Sequence, residues 1–528
     1  MRRLKTLMLY VACIACTVSV NSQIPQLKNN GKTTQLIVHG KPFLMLAGEA
    51  NNSSGSHIEH IERTMKALRE ANLNSLLVSV SWEIVEPQEG VFDFTSVDEL
   101  IRVARGNDMK ICILWFASWK NGFSPYAPVW VLNDTKRFIR VKDEKGQNTR
   151  TLTPLCTATR DADAKAYTAL MKHIASVDSE KNTVIVMQIE NEVGVLRQTR
   201  DFSEEANKAF ASQVPDVLIQ YMVKNKKTLE VELKTAWYFS SYVNTVAEAG
   251  KKVYNLPMFV NCLMPQPRPN PGKPGNYPSG GPIVSVLDVW KAGAPSIDML
   301  SPDIYGADFK DQVNNFHRTD NPLFIPETNT TEGPATWVFA EHDAICFSPF
   351  GIDSRGSVMA REYALLNQLM PVITQYQGTG KMSGIYKHRG DSTTGREFIL
   401  NSNVKVTVNY QRGFQRPPSA ETTANPMAQQ AQEPASYGIF IQAGENEFMV
   451  AGYNLSVTAV STNPKKEVWL KDAWEGVYEN GVWKPKALHN GDEAGFLRSD
   501  NPSYGIRAYR TNPSEPAIFH FKVLVYGR

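Results

Sequence analysis

Two carboxylates, Glu192 and Glu327, are the residues of this sequence best placed to do chemistry together. The apolar run 183–190 leads into Gln188-Ile189-Glu190-Asn191-Glu192-Val193-Gly194, and the run 323–328 contains Ile325-Pro326-Glu327-Thr328. A carboxyl pair can hydrolyse a glycosidic bond when one member donates and then accepts a proton while the other stays ionised and attacks the anomeric carbon. In such a pair the neighbouring carboxylate is expected to raise the pKa of the acid. Strand geometry points Glu190 and Glu192 to the same side, so the alternation alone does not separate them. Asn191 between them offers an amide to a sugar hydroxyl beside the reacting carbon.

Residues this far apart in sequence meet only if the fold returns them to one place. From Lys41 to Tyr376 the chain alternates short apolar runs with amphipathic stretches, the pattern of a parallel sheet covered by helices. The runs fall at 42–50, 75–82, 110–117, 183–190, 257–264, 298–305, 323–328 and 344–350. Eight such units close a (β/α)₈ TIM barrel, whose catalytic groups sit at the C-terminal ends of the strands. Glu192 follows the fourth run and Glu327 lies in the seventh, on opposite walls, which allows the separation of about 5–5.5 Å that retention of configuration needs. Helices are expected between the runs. Ser56 and Glu59 form a capping box ahead of Ile58, Ile61, Met65 and Leu68; Tyr167, Leu170, Met171 and Ile174 share another face, 203–249 has room for two helices, and 357–376 carries a kink at Pro371.

The stretch 188–194 resembles the Q-I-E-N-E-Y-G motif of family 35 glycoside hydrolases, the β-galactosidases of the large Glu/Glu barrel clan, with Val193 where the family has Tyr. Trp82-Glu83-Ile84-Val85-Glu86-Pro87 through Phe94 is similar to the family's W-x-x-H-E-P-x-x-G-x-F-D-F stretch, with Val85 in place of His. The resemblance covers the barrel, about 340 residues by the span of its runs. It implies that Glu192 is the acid/base, that Glu327 is the nucleophile, and that Tyr305 hydrogen-bonds the nucleophile. A barrel with Trp115 to Gly122 and one C-terminal β domain also looks like the exported bacterial branch that acts on plant-polysaccharide side chains.

Other residues at strand ends suit sugar binding. Trp119, Lys120 and Asn121 could stack on a sugar face and hold its hydroxyls; Glu49, Trp82 and Glu83 end the first two runs; Trp337, with His342 and Phe347, lines later loops. No metal or organic cofactor is implied, because a carboxylate pair supplies both the nucleophile and the proton transfer. The rival readings are another retaining β-glycosidase of the clan, such as a β-glucosidase, β-mannosidase or family 42 β-galactosidase, and a non-catalytic carbohydrate-binding barrel.

Residues 377–528 change grammar to period-two alternation, as in Val404, Val406, Val408 and Tyr410. They are read as a smaller all-β sandwich with strands at 437–443, 446–460 and 516–526, and 412–436 as a loop. Trp469, Trp474 and Trp483 are candidate glycan platforms, although a structural cap on the barrel is the simpler role. Residues 1–22 read as a signal peptide, with Arg2, Arg3 and Lys5 ahead of the apolar run Leu7–Val20, which implies a periplasmic or secreted protein. An outer-membrane lipoprotein is the second choice. Of 56 basic and 53 acidic residues, three basic ones precede Gln23, so residues 23–528 are formally neutral. That balance argues against a nucleic-acid or anionic-membrane partner and leaves a carbohydrate substrate as the partner. Cys112, Cys156, Cys262 and Cys346 are widely spaced, as buried free thiols are.

Overall fold

The computed structural model describes residues 23–212, 215–224, 230–265, 272–306, 308–388, 391–410, 435–489, 503–506 and 515–527. Eight parallel strands close a barrel in chain order: β1 (Met45–Glu49), β2 (Ser75–Ser81), β3 (Lys110–Lys120), β4 (Val184–Asn191), β5 (Met258–Leu263), β6 (Met299–Ile304), β7 (Phe324–Thr328) and β8 (Cys346–Pro349). Each expected run holds one strand. The strands read clearly in sequence because both of their faces are buried, one on the barrel interior and one under the helices.

The barrel interior is divided by polarity. Met45, Leu77, Cys112, Phe259, Met299 and Phe324 pack with Leu36 and Val38 of a small antiparallel sheet at Gln26–Pro42. That sheet therefore covers the starts of the strands, and apolar packing fills this half. Buried polar residues Glu49, Asn191, Asp303 and Glu327 occupy the other ends.

Helix α1 (Ile58–Glu70) buries Ile61, Met65 and Leu68 as expected, but the capping box does not form. Ser54–Ser56 is a separate 3-10 turn, the Ser56 hydroxyl bonds the Ser53 carbonyl at 2.9 Å, and His57 precedes the helix. Helix α2 (Thr157–Asp178) buries Tyr167, Leu170, Met171 and Ile174. The stretch 203–249 supports helices at Glu204–Ala211 and Asp216–Lys224 before α3 (Glu230–Lys251), one more than expected. Further on, α4 (Pro334–Glu341) precedes α5 (Gly356–Tyr376), which continues past Pro371.

The C-terminal residues form a sandwich of two antiparallel sheets. One has the order Met382–Tyr386, Tyr437–Gln442, Glu447–Tyr453, Ala517–Gly527, Lys466–Glu479, Val482–His489; the other has the order Gly395–Asn401, Val404–Tyr410, Leu455–Ser461, Ser503–Ile506. Val404, Val406 and Val408 meet Phe440, Phe448, Phe519 and Phe521 in the shared core. The single strand expected over 446–460 is two, broken where Asn454 adopts φ 58. Arg396 joins sandwich to barrel by donating to both carboxylate oxygens of Glu341 at 2.7 and 2.9 Å. Trp469 and Trp474 are exposed, whereas Trp483 packs on His520 with ring centroids 4.2 Å apart.

The four cysteines after residue 22 are free and buried. Among the described residues no helix is long and apolar enough to cross a membrane. The signal peptide expected over 1–22 and most of the loop expected over 412–436 lie outside the described residues.

Candidate active site

The two carboxylates expected to work together do meet. Carboxylate oxygens of Glu192, Asp303 and Glu327 lie within 4.8 Å of one another. Glu192 is 2 % exposed and Glu327 8 %.

The backbone at the end of β4 explains how Glu192 reaches this place and Glu190 does not. Glu190 (φ 59) and Glu192 (φ 45) both adopt left-handed conformations, which cost a side-chain-bearing residue roughly 1–2 kcal/mol each and end the strand's regular alternation. Glu190 turns toward α2. Its Oε2 accepts from the Trp119 backbone N–H at 2.8 Å, and burial followed by the charge of Asp163 pushes its pKa well up. Glu192 turns into the barrel mouth, where its backbone N–H donates to Asn261 Oδ1 at 2.9 Å and its Oε2 accepts from Asn121 Nδ2 at 2.5 Å. Glu192 is thereby separated from Glu190 by a local feature that period-two reasoning does not contain.

Burial, reinforced by the charge of Glu327 and opposed by Lys120, pushes the Glu192 carboxyl up to about 7. Glu327 Oε1 accepts from the Tyr305 hydroxyl, while Glu327 Oε2 is buried with no hydrogen-bond partner among the described residues. The same proximity, after burial, drives the Tyr305 hydroxyl far above its usual range, so it stays a donor. One carboxyl that holds a proton near neutrality beside one held by a phenol donor is what general acid catalysis with nucleophilic attack requires.

Other expected residues complete the mouth. Glu49 is buried with both carboxylate oxygens unpartnered among the described residues, and burial, then Glu327, pushes it well up. Asn191 is fully buried and both of its amide atoms lack partners among the described residues. Lys120 is nearly buried, with Nζ 5.0 Å over the Phe116 ring. Unsatisfied buried polar groups of this kind cost folding energy, and a polyhydroxylated ligand is the chemistry that would satisfy them.

The chain is similar in part to known proteins. Residues 52–246 match the family model described as β-galactosidase of the glycoside hydrolase 42 type, and residues 359–499 match a domain of unknown function, DUF5597. A β-galactosidase of Xanthomonas manihotis is 26% identical over 168 residues, which span 30% of this chain and 25% of that one. The barrel is β-galactosidase-like. Among solved structures, a β-galactosidase of Halorubrum lacusprofundi aligns with TM-score 0.43 at 16% identity over 62% of this chain and 58% of that one. One from Bacillus circulans sp. alkalophilus aligns with TM-score 0.44 at 13% identity over 62% and 56%. The family model that matches is of type 42, where the motifs of the sequence resemble family 35.

Several expected sugar contacts of this β-galactosidase-like barrel belong to its core instead. Trp119 is 0 % exposed; its indole N–H donates to the Leu152 carbonyl at 3.0 Å and its ring meets Tyr242 edge-on at 4.5 Å. Trp82 is equally buried, with its indole N–H on Glu86 Oε2 at 2.8 Å. Trp337 lies in α4, packed on His342 with ring centroids 4.6 Å apart and against the strand Met382–Tyr386. His342 bonds His317, and Phe347 points into the core. The indole N–H groups of Trp82 and Trp119 are thus satisfied inside the protein without ligand. Glu83 is half-buried in a crevice lined by Asn52, Ser79 and Tyr126, and neither Glu192 nor Glu327 lines that crevice.

Two site residues escaped the sequence reading: Asn261 on β5, which receives the Glu192 N–H, and Asp303 on β6. The available signal was Asn261 as the lone polar residue inside the apolar run 257–264, and Asp303 as the carboxylate nearest the C-terminal end of the run 298–305.

Proposed function

We propose that the protein is a retaining exo-β-galactosidase that releases terminal β-D-galactosyl residues from oligo- or polysaccharides, plant-polysaccharide side chains among them, after export from the cytoplasm. Glu192 protonates the glycosidic oxygen while Glu327 bonds to the anomeric carbon and the aglycone leaves. Glu192, now a carboxylate, then takes a proton from water, which attacks the same carbon and releases Glu327. The observation that carries this reading is the closeness of the two carboxylates, within 4.8 Å. An inverting enzyme must fit a water between its carboxyls and separates them by about 6.5–9.5 Å.

The galactose preference is supported by the β-galactosidase family match over residues 52–246. That match favours a family 42 type over family 35, and both assign the same roles to the two glutamates. A signal-like start at residues 1–22 supports export.

The test is hydrolysis of nitrophenyl β-galactoside, β-glucoside and β-mannoside, with the anomer of the first product read by NMR. Labelling with a 2-deoxy-2-fluoro-β-galactoside should add one sugar to Glu327. Cleavage of the glucoside in preference to the galactoside would displace the substrate assignment, and undiminished turnover in both Glu192→Gln and Glu327→Gln would overturn the roles given to the two glutamates; binding of the sugar with no turnover of any glycoside by the unsubstituted protein would favour a non-catalytic carbohydrate binder.

A further inference from the structure

Asp303 ends β6 almost fully buried, with its two oxygens in different situations. Oδ2 accepts from Asn261 Nδ2 at 2.8 Å, and the same Asn261 holds the backbone N–H of Glu192 at 2.9 Å. Oδ1 is buried without a hydrogen-bond partner among the described residues, and a carboxylate oxygen of Asp303 lies within 4.8 Å of carboxylate oxygens of both Glu192 and Glu327.

The surrounding charges decide which form of Asp303 survives. Glu192 from the end of β4, Glu327 from β7 and Glu49 from β1 all face it, and their charges add to burial in pushing it well above the usual carboxylate range. Cys262 on β5 and Tyr305 after β6 also face it, and both are held neutral by burial first and by nearby carboxylates second. Lys120 offsets charge at Glu49 and Glu192. Among the described residues Lys120 is the cation these carboxyls share, so with Glu327 ionised as the nucleophile a second carboxylate at Asp303 would stand against it with no further charge to balance it.

We propose that Asp303 is a positioning residue that keeps its proton through the reaction and uses Oδ1–H to hold the Glu192 carboxylate after Glu192 has given its own proton to the leaving group. No bond to Asp303 forms or breaks: its O–H donates a hydrogen bond when Glu192 is charged and is released when Glu192 takes a proton from water. Oδ2 already accepts from Asn261, which leaves the unpartnered Oδ1 as the oxygen to carry the proton. The proposal rests on the acid/base role given to Glu192 above.

The experiment compares wild type with Asp303→Asn and Asp303→Ala in the full chain. Infrared spectra of the resting protein at neutral pH should contain a protonated-carboxyl carbonyl band that Asp303→Asn removes; this readout needs no turnover. No change in that region overturns the proposal even if the enzyme is fully active, whereas active Glu192→Gln overturns the acid/base assignment and leaves the infrared result standing. In the pH profile of kcat/KM, Asp303→Asn should move the alkaline limb by less than about half a pH unit, because a neutral group replaces a neutral group. A limb that falls by about one unit or more means that a negative charge was removed, and overturns the proposal. Asp303→Ala should lower kcat by about 10- to 100-fold with KM little changed, and Asp303→Asn should recover most of that loss. If the alanine variant does not fold, the asparagine variant carries the test alone.

Discussion

The Tyr305 hydroxyl pins one oxygen of Glu327 and leaves the other buried and without a hydrogen-bond partner among the described residues, which in the proposed mechanism is the oxygen that attacks. Removing the donor frees the carboxylate to rotate and costs a hydrogen bond to a charged group, worth about 1.5–3 kcal/mol. Tyr305→Phe should therefore lower kcat by about 10- to 100-fold while the protein stays folded. Steady-state rates on nitrophenyl β-galactoside with a melting curve check this, and unchanged kcat would remove Tyr305 from the mechanism.

Glu192 must carry a proton to begin the reaction, and its carboxyl is pushed up to about 7. Activity should thus fall as pH rises through about 7, a limb absent from Glu192→Gln on substrates whose leaving group needs no protonation. The same group links to stability. Because the folded protein holds this proton more tightly than the unfolded chain does, its contribution is full below the unfolded value of 4.5 and is lost as pH climbs to about 7. Glu192→Gln should raise Tm at neutral pH and leave it nearly unchanged at acid pH, the gain amounting to about 2–4 kcal/mol.

Lys120 is the cation that draws Glu192 and Glu49 toward their charged forms. Lys120→Met keeps most of the side-chain volume above Phe116 and removes the charge. With less support for the carboxylate, Glu192 should titrate higher, and the alkaline limb of kcat/KM should move up by about one unit or less. A downward move would mean that Lys120 acts on a different group.

Asn191 separates a binding role from a structural one. Its amide is fully buried and makes no hydrogen bond among the described residues, so deleting it forfeits no folded-state bond and relieves a desolvated group. Asn191→Ala should leave Tm equal or higher while kcat/KM falls by about 10- to 100-fold. A variant that loses stability and activity together would show that Asn191 serves the fold.

The barrel was legible because each strand is apolar on both faces, and its ends were legible because polar residues appear there abruptly. Glu192 and Glu327 could be named for the same reason. Choosing Glu192 over Glu190 on geometry was not possible, since the choice is made by left-handed backbone at both residues. The role of an indole was equally hidden: Trp82 and Trp119 end up beside Glu86 and the Leu152 carbonyl, partners that only the folded chain supplies. Asn261 and Asp303 were missed because a polar residue within an apolar run reads as part of the run. In the sandwich, Lys466–Glu479 and Val482–His489 mix Lys, Trp and Pro on half-exposed faces, which dilutes the alternation that marked Val404–Tyr410.

Trp119 allows a decision between platform and core. If it stacked on sugar, shortening the ring would raise KM and leave stability alone. The structure puts it against Phe239 and Tyr242, at centroid distances of 4.9 and 4.5 Å, with its N–H on Leu152. Trp119→Phe loses that hydrogen bond and part of the packed volume, about 1–3 kcal/mol, and Trp119→Ala should lose about 3–5 kcal/mol. Because the Trp119 backbone N–H also holds Glu190, the damage should reach the end of β4 as lowered kcat before KM changes. Urea unfolding run beside the kinetics gives the answer: a KM effect at full stability would restore Trp119 to the sugar site.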